Sequence, residues 1–76
     1  MILKCFSKYG GELFLCVSDL EIFPMSNGRF DINITTYLGK KYCATPTLAT
    51  RNDVEEFLSD YEDEKFIDYQ FREVNE

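Results

Sequence analysis

Carboxylates are the side chains of this sequence with the clearest capacity for chemistry, and they concentrate in residues 53–68, DVEEFLSDYEDEKFID. Asp60, Glu62 and Glu64 have the spacing of the first, third and fifth positions of a calcium-binding loop. Its sixth position requires glycine and its twelfth an acid, but these places hold Lys65 and Phe71. The spacing therefore predicts no metal site.

Catalysis by the commonest side-chain sets is excluded by composition. The sequence contains no histidine, so it lacks Ser-His-Asp and Cys-His nucleophile systems. Its three cysteines form no C-x-x-C pair, which argues against a zinc site. Paired carboxylates in a hydrolase must converge in a cleft, for which a chain of 76 residues leaves little room. We expect no catalytic residue, no metal and no cofactor.

A basic and aromatic cluster marks the stretch YLGKKY. Lys40 and Lys41 beside Tyr37 and Tyr42 combine positive charge with rings on which nucleotide bases stack. The same residues also fit a hairpin turn kept soluble by two lysines. The net charge of −6 opposes binding to phosphates, so nucleic-acid binding stays an alternative only.

Charge is distributed unevenly along the chain. Residues 1–52 contain four acids and six bases, a balance of +2, whereas residues 53–76 contain ten acids and two bases, a balance of −8. Such asymmetry bears on solubility and on the steering of partners. The acidic segment is therefore either a solubility surface or a surface for a basic partner.

The acidic segment has the periodicity of folded structure. Thr50 followed by Asp53 predicts a capping box, and Val54, Phe57 and Leu58 begin an apolar stripe that Tyr61 continues. These features predict a helix over residues 51–62. The period then changes from 3.6 to 2, with Ile67, Tyr69 and Phe71 on the inner face of a strand over residues 66–73.

The residues before the helix predict strands. Strands are expected over 2–8 and 12–18, and the second is apolar on both faces, which suggests that it is central or covered on both sides. Asn27-Gly28 predicts a two-residue hairpin between a short edge strand at 22–25, which contains Pro24, and a strand over 30–38. In that strand the inward residues are expected to be Phe30, Ile32, Ile34 and Leu38. A further strand covers 42–46.

These elements predict one α+β domain over residues 1–76. Its expected architecture is a mainly antiparallel sheet of four to six strands with one amphipathic helix packed on one face, in the order β-β-(β)-β-β-α-β.

Cysteine usage and the start of the chain bear on compartment. An odd number of cysteines, each in an apolar or β-like stretch, predicts three free, buried thiols in a reducing compartment. We find neither a secretory signal peptide nor an apolar segment long enough to span a membrane. The expected location is the cytoplasm of a host cell.

The candidate partner-binding residues are the outward carboxylates of the helix and the last strand. Side chains three or four positions apart on a helix lie about 5–6 Å apart and can present a ladder of negative charge. The candidates are Glu55, Glu56, Asp60, Glu62, Asp63 and Asp68.

The stretch FDINITTYLGKKYCATPTLATRNDVEEFLSDYEDEKFIDYQFREV, residues 30–74, resembles small acidic phage-encoded inhibitors in layout. These are proteins of the anti-CRISPR and uracil-DNA glycosylase inhibitor type, in which a hairpin leads into an acidic helix and a closing strand. The resemblance implies a non-catalytic inhibitor whose acidic surface blocks the basic nucleic-acid site of a host protein. A CRISPR effector, a glycosylase or a restriction factor would be such a target.

Two other functions stay open at this stage. One is an interaction or assembly module without inhibitory role, in which the chain forms a homodimer and its acidity serves solubility. The other is the weak nucleic-acid binder that uses the Lys40-Lys41 hairpin.

Overall fold

In the computed structural model, which describes residues 1–74, the chain forms five strands and one helix. The elements are β1 (Ile2–Ser7), β2 (Glu12–Pro24), β3 (Phe30–Thr36), β4 (Lys41–Thr45), α1 (Arg51–Glu62) and β5 (Phe66–Glu73). The helix and the last strand have the predicted bounds. The α+β content is thus as expected.

The sequence patterns predicted a mainly antiparallel sheet but not its closure. The sheet closes into a barrel in the order β1-β2-β3-β4-β5. Neighbouring strands are antiparallel except β5 and β1, which run parallel and close the ring. Since strand directions cannot alternate around a ring with an odd number of members, one pair must be parallel. Closure pairs the first strand with the last, a contact that no local pattern encodes.

Strand β2 replaces two predicted strands. It runs continuously from Glu12 to Pro24, so the edge strand predicted at 22–25 is not separate but corresponds to the end of β2. Its first half pairs with β1 and its second half with β3, and the register shifts between Val17 and Asp19. This β-bulge bends the strand and lets it change neighbours without a break.

Three hairpin loops share one geometry. In the loop at 25–29, Met25 N–H bonds to Arg29 O at 2.7 Å and Gly28 N–H bonds to Met25 O at 3.1 Å. The loop thus contains three residues, Ser26 to Gly28, rather than the predicted two. Its third residue has a φ of +83°, a left-handed conformation that glycine adopts without steric cost. The loops after Ser7 and Thr36 repeat these bonds.

The third of these loops corrects the predicted inner face of β3. Ile32 and Ile34 are buried as expected, but Leu38 lies in the loop and is 88% exposed. Thr36 takes the last inward position, 8% exposed, and its hydroxyl accepts a bond from Lys40 N–H at 3.2 Å. The alternation ends two residues early because the turn begins after Thr36.

The helix contributes Phe57 to the buried core. Phe57 is 1% exposed and packs with Phe71 of β5, with ring centroids 6.2 Å apart. The predicted capping box is present, with Asp53 N–H bonding to Thr50 Oγ1 and Thr50 N–H to Asp53 Oδ2. The buried core consists of Leu3, Cys5, Leu15, Val17, Ile32, Ile34, Ala44, Leu48, Phe57, Ile67 and Phe71.

Candidate protein-binding surface

The six predicted partner-binding residues do not form one patch, because five lie on α1 or at its end and face different sides, and Asp68 lies on β5. Successive helical residues are rotated by about 100°, which places Glu56 and Asp60 on the side of Phe57, and Glu55 and Glu62 on the side of Leu58. Asp63 is the C-cap of the helix. All six are exposed except Asp60, which is half-buried.

The first side is completed by strand β5. Tyr69 packs its ring against Phe57, with centroids 6.4 Å apart, and is half-buried. The pKa of its hydroxyl is raised above the usual value, first by burial and then by nearby negative charges. Those charges define a surface that we call the Tyr69 flank: Asp53, Glu56, Asp60 and Asp68.

The carboxylates of the Tyr69 flank are not neutralised within the molecule. Among residues 1–74, none of these four lies within ion-pairing distance of a lysine or arginine; the salt bridge found there joins Lys40 to Glu73. Asp53 also holds the helix N-terminus, where a negative charge is favourable. Within residues 1–74, no salt bridge involves the side chains of the other three, Glu56, Asp60 and Asp68.

The second side of α1 borders a shallow apolar groove. Val54 and Leu58 of the helix form one wall, and the rest of the lining is Ile22, Pro24, Phe30 and Arg51. The guanidinium of Arg51 lies 5.8 Å from the centre of the Phe30 ring. We call this feature the β2–α1 groove, and the sequence patterns did not predict it.

The Lys40-Lys41 hairpin differs from a simple basic platform. Tyr37 is 74% exposed, as stacking would require. However, Lys40 Nζ lies 3.8 Å from a carboxylate oxygen of Glu73, and the Tyr42 hydroxyl donates to the same carboxylate at 3.4 Å. A carboxylate between the two groups opposes the approach of phosphate.

An exposed aromatic face was also missed. Phe14 and Phe66 are 56% and 43% exposed, and their rings meet edge to face at 5.7 Å. Phe6 packs beside Phe66 at 5.3 Å. The stretch ELFLCVS is apolar on both faces, and it lies in a central strand that pairs with β1 and β3, as one of the two predicted alternatives states. It is not covered on both sides, because Phe14 and Cys16 are exposed.

The three thiols occupy different environments. Cys5 is buried, and burial raises its pKa to about 12. Cys43 is half-buried, donates to Asn33 Oδ1 at 3.0 Å, and has a pKa raised chiefly by burial. Cys16 is exposed, which corrects the expectation that all three are buried. All three are free.

Within the described part of the chain, no group of three or more acidic or cysteine side chains is arranged to hold a metal ion. No helix in residues 1–74 has the length and apolar character needed to cross a membrane. In comparisons with known proteins, no family model, no curated protein and no solved structure matches this chain.

Proposed function

We propose that this domain is a non-catalytic inhibitor, of the phage or mobile-element type, that binds a host nucleic-acid-handling protein. Its acidic surface occupies the basic site where that protein binds nucleic acid. The partner is a protein such as a CRISPR effector, a glycosylase or a restriction factor.

The observation that carries this proposal is the Tyr69 flank. The pKa of the half-buried Tyr69 is raised by burial and then by the charges of three carboxylates of α1 and one of β5, and no salt bridge within residues 1–74 involves these four. Like charges at helical spacing destabilise a helix by a few tenths of a kcal/mol per pair. A basic partner relieves this repulsion, and the arrangement is consistent with selection for such a partner.

A nucleic-acid site is the natural complement of this surface. Such sites present lysine and arginine to rows of phosphates. Carboxylates held on a helix and a strand offer negative charge to such a site, and their field steers a basic partner toward it. Tyr69, which is half-buried and close enough to feel these charges, supplies an aromatic group, and aromatic residues are common among interface hot spots.

The test is inhibition of purified enzymes. We expect the domain to inhibit DNA binding by at least one of three targets: a CRISPR effector, a uracil-DNA glycosylase and a restriction endonuclease. Inhibition should be competitive with DNA and should weaken as salt rises, because it depends on charge. A panel in which no member is bound would overturn the inhibitor proposal.

Matched charge reversals locate the interface. Glu56→Lys and Asp68→Lys on the Tyr69 flank should each slow association by about tenfold at low salt. Glu55→Lys is the helical control on the opposite side, and Glu12→Lys is the strand control on β2. Circular dichroism checks the fold of each variant. Equal effects in variants and controls would show that total charge, rather than this flank, governs binding.

A second candidate function, an assembly module, is favoured by the exposed aromatic face. Phe14 and Phe66 form an apolar contact on the outside of the barrel, and exposed apolar patches often mark interaction sites. If this face joins two copies, sedimentation equilibrium should detect a dimer that Phe14→Ser weakens.

A further inference from the structure

The direction of backbone groups along β2 shows that part of this strand has an unpaired side. In an antiparallel pair, the N–H and C=O groups of successive residues point alternately toward and away from the partner strand. Met25 N–H donates a hydrogen bond to Arg29 O at the end of the β2–β3 hairpin, so Met25 points toward β3. Because the direction alternates, the backbone N–H and C=O groups of Phe23, Glu21 and Asp19 also point toward β3.

A second set of hydrogen bonds supports the same assignment of which β2 residues direct their backbone groups toward β3. Pro24 is opposite Phe30 in the register. Phe30 N–H bonds to Leu48 O at 2.8 Å, and Leu48 N–H bonds to Phe30 O at 2.9 Å, both on the side away from β2. The backbone groups of Leu20 and Ile22 therefore point away from β3, as does the carbonyl of Pro24.

Strand β1 does not reach this part of β2. The pairing of β1 with β2 extends to Cys16, and Val17 N–H then bonds to Met1 O at 3.0 Å. Within residues 1–74, no strand pairs with the outward side of Leu20 or Ile22. The closed barrel thus retains a short free edge of about five residues, or roughly 16 Å.

The free edge adjoins the β2–α1 groove. Ile22 and Pro24 of the edge line this groove together with Val54 and Leu58 of the helix. A strand that paired with the edge would turn alternate side chains toward these apolar groups. An edge strand beside a helical wall is a general arrangement for binding an extended peptide by strand addition.

Charge indicates the composition of that strand. In antiparallel pairing, residues directly opposite each other project to the same face. Residues opposite Leu20 and Ile22 therefore face the groove, whereas residues opposite Asp19 and Glu21 face outward beside exposed carboxylates. Glu55 and Glu62 add exposed negative charge on the helical side of the groove.

We propose that the β2–α1 groove binds an extended, basic segment of a partner protein, which pairs antiparallel with the free edge of β2. Its apolar residues enter the groove and alternate with lysine or arginine beside Asp19 and Glu21. A second copy of this chain fits less well, because pairing Leu20 with Leu20 or Ile22 of the second copy sets carboxylates of Asp19 and Glu21 opposite each other. The proposal does not depend on the Tyr69 flank and stands or falls separately.

The test uses a defined peptide, Lys-Val-Lys-Val-Lys-Val-Lys, with binding measured by calorimetry. In the proposed register the valine N–H groups point to β2 and the internal lysine N–H groups point to solvent. N-methylation of two valines should weaken binding by about tenfold or more, since two hydrogen bonds are lost. N-methylation of two internal lysines should change affinity less than threefold, roughly, by the same reasoning.

Protein variants provide the complementary test. Glu21→Lys should weaken binding of this peptide several-fold, whereas Glu12→Lys, which makes the same charge change at the far end of β2, should not. Hydrogen exchange followed by nuclear magnetic resonance should show the amides of Leu20 and Ile22 becoming protected when the peptide binds. The amide of Glu21, which is already directed toward β3, should change little.

Three outcomes would overturn the proposal. The first is no binding of the unmethylated peptide, and the second is an equal loss of affinity for the two methylation patterns. The third is a dimer in sedimentation experiments that protects Leu20 and Ile22 without peptide, which would assign the edge to a second copy.

Discussion

Helix α1 has carboxylates on two sides, but its two sides border different surroundings. On the Tyr69 flank the helix meets a strand that adds another carboxylate, Asp68. On the other side it meets a groove with an apolar lining and the free edge of β2. The first surface can recognise charge at long range, whereas the second can also recognise backbone direction and side-chain alternation. The same acidic sequence thus offers two kinds of contact, and the adjoining strand decides which.

Phe57 supports both surfaces, so its loss should have the largest effect. Phe57→Ala should lower the free energy of unfolding by about 3–5 kcal/mol, because the truncation leaves a cavity in the core. That is comparable to the whole stability of a domain of this size, so urea unfolding should be followed in a stabilising osmolyte. Phe66→Ala, at a 43% exposed ring, is the control and should cost about 1 kcal/mol. Equal losses would contradict the central position of Phe57.

Removal of the helix cap should affect both surfaces moderately. Thr50→Ala should lower the free energy of unfolding by about 1 kcal/mol, because the Asp53 N–H loses its acceptor. Ser59→Ala removes a hydroxyl from an exposed helical position and should have little effect. Denaturation curves that rank the two variants the other way would contradict the capping geometry.

A substitution at the end of α1 should raise the free energy of unfolding instead of lowering it. Glu64 has a φ of +55°, and Lys65 N–H bonds back to Asp60 O at 2.9 Å, as in a Schellman motif. Glu64→Gly should raise the free energy of unfolding by about 0.5–1 kcal/mol, because glycine accepts a positive φ without steric cost. Glu55→Gly in the helix interior should lower it by about 1 kcal/mol. Thermal unfolding of both variants checks the contrast.

The smallest predicted effect is on the pKa of Tyr69, and it distinguishes the Tyr69 flank of α1 from the groove side. Glu56→Gln, Asp60→Asn and Asp68→Asn together should lower the pKa of Tyr69, because their charges raise it. Glu55→Gln with Glu62→Gln on the groove side should leave it unchanged. Tyrosine ring carbon shifts followed through an alkaline titration measure both. A shift in the second variant alone would reverse the assignment of sides.

The same titration has a consequence for stability. Because folding raises the pKa of Tyr69 above its ordinary value of 10.0, the folded state holds this proton more tightly than the unfolded state. The resulting stability is present below pH 10 and is lost as the pH rises through the folded-state pKa. Neutralising the Tyr69 flank should therefore reduce the alkaline loss of stability attributable to Tyr69. Urea unfolding at neutral pH and above pH 10 provides the measurement.

The sequence by itself determined the local structure of residues 50–73. The Thr50–Asp53 box and the Val54-Phe57-Leu58 stripe predicted α1 with its observed bounds, and the alternation of Ile67, Tyr69 and Phe71 predicted β5. These features depend on neighbours a few positions apart, which a linear pattern records. The acidic character of the helix was also predicted from the sequence, since charge is a property of composition.

Tertiary structure alone decided how the elements meet. Closure depends on pairing β5 with β1, and the division of the carboxylates depends on which strand borders each side of α1. The bulge between Val17 and Asp19 changes the phase of β2 and so turns the backbone groups of Leu20 and Ile22 away from β3. Because the β1–β2 pairing ends at Cys16, these groups lie along a free edge. The exposed ring of Phe14 resembled a core residue because local periodicity does not show which face of a strand other elements cover. Each of these features depends on contacts between distant parts of the chain.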